Sequence, residues 1–157
     1  MIKNIIDLVT SKKVLPPSAS EKIDYVSIAK QVNMILFLVS DDLQKDIINS
    51  NQDNLQIYQT HSKEELKKLI LDLNNPVILF EYECVKDETP REFVKEIRND
   101  WPGVELHMIS YVHLIDREKM TSLLRQRLNG FLVKPYRYQN LLKLLAQFQY
   151  DPNDVHI

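Results

Sequence analysis

The sequence predicts an α/β domain: a five-stranded parallel sheet, doubly wound, with helices on both faces. Three observations carry that prediction. Five short apolar runs recur along the chain, and a stretch of helical character separates each from the next. The first and third runs are continuously apolar, the pattern of strands buried on both faces. The last run, GFLVK at 130–134, stops at a lysine followed directly by a proline, which cannot continue a central ladder and holds its predecessor extended. Strand–helix alternation repeated five times implies parallel strands, and right-handed crossovers then place helices on both sides.

Each element has its own justification. Residues 1–33 fall outside the alternation and are expected to form an N-terminal helical extension. In it, Ile2, Ile5, Ile6 and Val9 make a helical stripe, Pro16 and Pro17 break the chain, and Ser20 is placed to cap a second helix, EKIDYVSIAKQV. The extension either packs on the domain or serves as a dimerisation or docking arm, because so short an amphipathic helix is marginal alone. MILFLVS (34–40) reads as a buried strand, and LQIYQT (55–60) as a more exposed, alternating one. The helix SKEELKKLILDL opens on Ser62 with Glu65 three residues later, a capping-box spacing. PVILFEY (76–82) is the third strand, and PREFVKEIRND opens with Pro90 in a first turn. VELHMIS (104–110) is the fourth strand. DREKMTSLLRQRLN follows, with acids first and Arg125 and Arg127 last, matching the helix dipole. After GFLVK, YRYQNLLKLLAQF sets Tyr138, Leu141, Leu142, Leu145 and Phe148 on one stripe. The domain is thus expected over 34–148, with a short tail at 149–157.

Composition narrows the function. The chain is 44% hydrophobic and 27% charged, as in ordinary globular proteins. A net charge of -2 gives no support for nucleic acid or an anionic membrane as a partner. No apolar stretch approaches the ~20 residues of a membrane span, and Asp7 interrupts the N-terminus, so no signal peptide is expected. A single cysteine, Cys84, excludes a disulfide framework and a multi-cysteine zinc site, and suits a reducing, cytoplasmic setting. Only Gly103 and Gly130 are glycines, so a Gly-rich phosphate loop is excluded. His61, His107, His113 and His156 have no metal-ligand spacing, and no Ser-His-Asp arrangement suggests a hydrolase. Acidic neighbours disfavour Cys84 as a thiolate nucleophile.

Ligand chemistry in such sheets lies at the C-terminal strand ends. There the sequence offers Ser40, Asp41 and Asp42 after the first strand, Glu81 and Glu83 after the third, Ser110 after the fourth and Lys134 after the fifth. Crowded carboxylates gain from a cation, and magnesium takes one or two of them together with phosphate oxygens. A hydroxyl and an ammonium could hold the phosphoryl group.

From Met34 to Phe148 the chain resembles the receiver domains of two-component response regulators. The match is sharpest at LNGFLVKPY, which resembles the family's Gly-Ala-x-x-aromatic-Leu-x-Lys-Pro-Phe ending, and the spacings from Glu81 to Ser110 to Lys134 also fit. The resemblance implies the flavodoxin-like (CheY-like) fold with strand order 2-1-3-4-5. It implies that Ser110 keeps the hydroxyl, Lys134 the amine and Phe131 the aromatic that reports the family's switch. It also exposes departures. Glu81 stands where receivers carry the phosphoacceptor aspartate. Ser40 and Asp41 stand where they carry a magnesium-binding acid pair. A one-residue shift would restore that pair as Asp41–Asp42; the first register is preferred because it sets Ile48 on the core side of the next helix. Tyr111 follows Ser110 where the family has a small residue, and its ring could cover the site.

Two readings of Glu81 stay open: a partial phosphate mimic paired with Lys134 in a partly exposed contact, or the relic of a decayed site. In both, its extra methylene spoils in-line phosphotransfer. The expected function is therefore a non-catalytic pseudo-receiver without metal or cofactor, a protein-interaction module with an unidentified protein partner or a second copy of itself. The expected partner surface draws on Arg117, Met120, Arg125, Arg127, Tyr136, Arg137 and Tyr138, since arginine and tyrosine are favoured at hot spots. The alternatives are a functional, phosphorylatable or magnesium-dependent receiver and an unrelated flavodoxin-like small-molecule binder.

Overall fold

The computed structural model describes residues 24–102, 106–113 and 116–150; for Tyr25, Val26, Ala29, Gln149 and Tyr150 it describes the backbone alone. The elements run α1 (Tyr25–Gln31), β1 (Asn33–Phe37), α2 (Asp41–Ser50), β2 (Gln56–Thr60), α3 (Lys63–Asp72), β3 (Pro76–Glu81), a 3-10 turn (Tyr82–Cys84), α4 (Pro90–Asp100), β4 (His107–Val112), α5 (Arg117–Arg125), β5 (Gly130–Val133) and α6 (Tyr138–Tyr150). The five strands pair in parallel in the order β2-β1-β3-β4-β5. This is the predicted sheet and strand order.

Strand alternation divides the core into two layers. On one face Met34, Leu36, Val77, Leu79, Ile109 and Leu132 pack against Ile28, Leu43, Ile47, Leu141 and Leu145 of the helices α1, α2 and α6. On the other, Ile35, Phe37, Ile78, Phe80 and Met108 meet Leu66, Ile70, Phe93, Ile97 and Leu123 of α3, α4 and α5. Phe93 stacks on Phe37 and meets Phe80 edge-on. Of the second helix expected in the N-terminal extension, Tyr25–Gln31 is helical as α1, and Ile28 belongs to the first core layer. The first 23 residues, with the stripe from Ile2 to Val9, the break at Pro16 and Pro17 and the Ser20 cap expected there, and the tail beyond Tyr150 lie outside the described residues.

Helix starts follow side-chain capping. Ser40, Ser62, Thr89 and Asp116 each accept a backbone N–H three residues on. The full capping box is at Thr89–Glu92, with Pro90 in the first turn. At Ser62 only half the expected box forms, because Glu65 accepts the Thr60 hydroxyl instead.

Several expectations need correction. β1 ends at Phe37, not Ser40: Leu38 takes a left-handed φ of 52° and donates its N–H to Thr60, which turns the chain so that Ser40 caps α2. β4 runs on to Val112, so Ser110 lies inside the strand rather than at its end. β5 ends at Val133, and Lys134 is held just beyond it by an N–H bond to the Val112 carbonyl. α5 ends at Arg125, and Arg127, at φ 69°, lies outside the helix it was expected to close. Ile48 is 52% exposed; Ile47 fills the core position. Ile48 therefore gives no support to the first register.

Arg98 ties the lower end of this sheet together. Its guanidinium donates to the carbonyls of Leu106 and Arg127 and to the Asn129 side chain, whose Oδ1 also accepts the Met108 N–H. Burial, with Arg127 nearby, lowers its pKa to about 10.

Candidate functional site

The sheet brings Ser40, Glu81, Lys134 and Tyr111 to one point at its C-terminal edge. Glu81 is the last residue of β3, level with Tyr111 of β4. Lys134 follows β5, where a cis peptide bond joins it to Pro135. One carboxylate oxygen of Glu81 accepts the backbone N–H of Ser40 at 3.0 Å. The other accepts the Lys134 ammonium at 3.0 Å. Glu83 stands 3.6 Å from the same ammonium. The Tyr111 ring, buried, lies with its centroid 5.3 Å from that nitrogen. Tyr111 thus lies against the Lys134 ammonium.

The pair is less exposed than expected. The Glu81 side chain is 5% exposed and that of Lys134 29%. Burial works to raise the Glu81 carboxyl pKa, but the Ser40 N–H and the Lys134 ammonium outweigh it and hold the group below the usual carboxylate value. Burial also opposes the charge on Lys134, and Glu81 more than offsets that, so its pKa is raised. Glu81 is therefore ionised and internally neutralised at neutral pH. Cys84 next to this pair has its thiol pushed up, by burial first and by Glu81 second, which agrees with an unreactive cysteine.

The remaining expected site residues are placed differently. Asp41 and Asp42 are exposed in the first turn of α2, where the helix dipole favours them. From this segment it is Ser40 that reaches Glu81, by its backbone N–H foremost and its hydroxyl second. Ser110 is level with Phe80 and Phe131, one position below Glu81, and strand alternation turns it to the opposite face. Its hydroxyl is fully buried and has no hydrogen-bond partner among the described residues. Phe131 packs on the second core layer. Among the described residues no group of three or more His, Cys, Asp or Glu could hold a metal ion. Both Glu81 oxygens are engaged, and Asp41 and Asp42 stand exposed on α2 rather than beside that carboxylate.

The expected partner surface divides in two. Arg117, Arg125 and Arg127 are exposed around α5, with Met120 half-buried beside them. Tyr136 and Tyr138 turn the other way: they pack on the first core layer and bond to Ser50 and Asp53 next to α2. Burial foremost, with the Asp53 charge adding, pushes the Tyr138 hydroxyl up to about 12. Arg137 between them is exposed. Sequence reasoning missed the Ser40 N–H, for which no side-chain signal exists.

No protein-family model matches the chain, and no curated protein does. Solved structures do. A two-component response regulator from Clostridium difficile superposes with a TM-score of 0.63 at 17% identity, over 79% of this chain and 99% of that one. The chemotaxis response regulator CheY4 of Vibrio cholerae gives 0.60 at 19% identity, over 74% and 98%. The receiver domain of Ssk1 from Saccharomyces cerevisiae, solved with the histidine phosphotransfer protein Ypd1, gives 0.61 at 12% identity, over 76% and 92%. The chain has the fold of the response regulator receiver domain.

Proposed function

We propose that this chain is a receiver-fold domain that has left the phosphoryl cycle and works in two-component-type signalling as a protein-interaction module. One observation carries this reading: the carboxylate at the end of β3 is buried and both its oxygens are already bonded, one to the Ser40 N–H and one to Lys134. A phosphodonor would have to break a desolvated ion pair before the carboxylate could attack, and the longer glutamate arm misplaces that attack. The internal charge pair supplies part of what a phosphoryl group would supply to Lys134, with one negative charge instead of nearly two. On this reading the module holds one state, without magnesium, and its partner is a protein that meets the arginines of α5. The Ssk1 receiver, solved with a protein partner, is a precedent for this fold in such a complex.

The test is intact mass after incubation with acetyl phosphate and magnesium. The unchanged mass is expected. A stoichiometric phosphoryl adduct would overturn the reading and favour a working receiver.

A further inference from the structure

A second site lies on the other side of Glu83. The 3-10 turn after β3, the end of β4 and the N-terminal half of α5 enclose a cavity of about 600 Å³. Its apolar wall is made by Tyr82, Val112, Met120, Leu123 and Phe131. That volume and lining are those of small-molecule pockets rather than of packing defects. Glu81 is not among its lining residues, so the cavity is distinct from the ion-paired crevice.

The rim decides which ligand fits. Four charged side chains stand on it: Glu83, Asp116, Arg117 and Lys119. The two acids are engaged within the protein. Glu83 faces the Lys134 ammonium at 3.6 Å, and Asp116 caps α5 by accepting the Lys119 N–H at 3.2 Å. The two cations have no carboxylate partner among the described residues; Lys119 rests its ammonium 5.6 Å from the centre of the Tyr82 ring. The formal charges of the rim balance, two acids against two bases, and the charged groups there without a polar partner among the described residues are the two cations, above a floor of aromatic and aliphatic carbon. His113 completes the rim.

We propose that this cavity binds a small organic anion with a flat apolar body, the body against Phe131, Leu123 and Met120 and the anionic group between Arg117 and Lys119. Burying the body supplies the affinity and the two cations supply the selection for charge. Arg117, Met120 and Phe131, placed by the sequence on a partner surface and a switch, serve here as lining of one pocket.

The experiment titrates the full chain with three naphthalene probes of one shape: 1-naphthoate, 1-naphthalenemethanol and 1-naphthylmethylamine. Calorimetry is expected to show saturable binding in the order anion, alcohol, amine. The double charge reversal Arg117→Glu with Lys119→Glu, both exposed, is expected to invert that order, and Met120→Trp to abolish binding by filling the cavity. The double variant keeps the test decisive should the tryptophan fail to fold. No saturable naphthoate binding, or an order that the charge reversal leaves unchanged, would overturn the proposal.

Discussion

At the scale of single residues, the Glu81–Lys134 contact is asymmetric, and its asymmetry is measurable. Glu81 is the more deeply buried partner. Removing the ammonium leaves a desolvated carboxylate with one N–H donor; removing the carboxylate charge leaves an ammonium that still reaches water. Lys134→Met is therefore expected to cost about 3–5 kcal/mol. Glu81→Gln, which keeps an acceptor for Ser40, is expected to cost about 1–3 kcal/mol. Urea unfolding of both variants and of the double variant gives the coupling, which should be larger than the 0.2–1 kcal/mol roughly typical of exposed pairs. Equal single costs or strict additivity would contradict the burial.

The pH dependence follows with its sign. The Glu81 pKa is lowered on folding, so its contribution is present above the unfolded value of about 4.3 and is lost as pH falls through the lower folded value. The Lys134 pKa is raised, so its share holds below the unfolded value of about 10.4 and is lost as pH rises through the folded one. Unfolding curves across acid pH should lose part of this slope in Glu81→Gln. Lys134 and Glu81 were legible in the sequence because a proline fixes where β5 stops and an apolar run fixes where β3 stops. Their burial was not legible, because it depends on a ring from β4 and a backbone N–H from the loop after β1.

At the scale of elements, the apolar runs and helix starts were readable, and the ends were not. Leu38 and Arg127 turn the chain at positive φ without glycine or asparagine to announce it. The β1 run thus reads as longer than it is, and α5 also reads long. The face of α2 was misread by one residue for the same reason: Ser40, as N-cap, sets a helix phase that buries Leu43 and Ile47 and leaves Ile48 in solvent. Substitution tests that phase. Ile47→Ala is expected to cost about 2–5 kcal/mol, and Ile48→Ala to stay within about 0.5 kcal/mol of the parent. Thermal or urea denaturation of the two variants would contradict the assignment if their order reversed.

At the scale of the whole molecule, five apolar runs with helices between them announce a parallel, doubly wound sheet, while the strand order 2-1-3-4-5 was legible only through the resemblance to receivers, because doubly wound sheets take more than one order. The architecture is that of receivers, while the chemistry at its edge is an internal ion pair. The central claim is that this pair keeps the crevice in one state, closed to magnesium and to a phosphoryl group. Backbone amide chemical shifts test it most directly, since the Ser40 N–H bonds to the Glu81 carboxylate itself. Spectra of the labelled chain are compared without additions, with magnesium, and with magnesium plus acetyl phosphate. The account predicts that the amides of Ser40, Glu81, Tyr111 and Lys134 hold their positions throughout. A saturable shift of the Ser40 amide together with those of Glu81 and Lys134, under either addition, would contradict it.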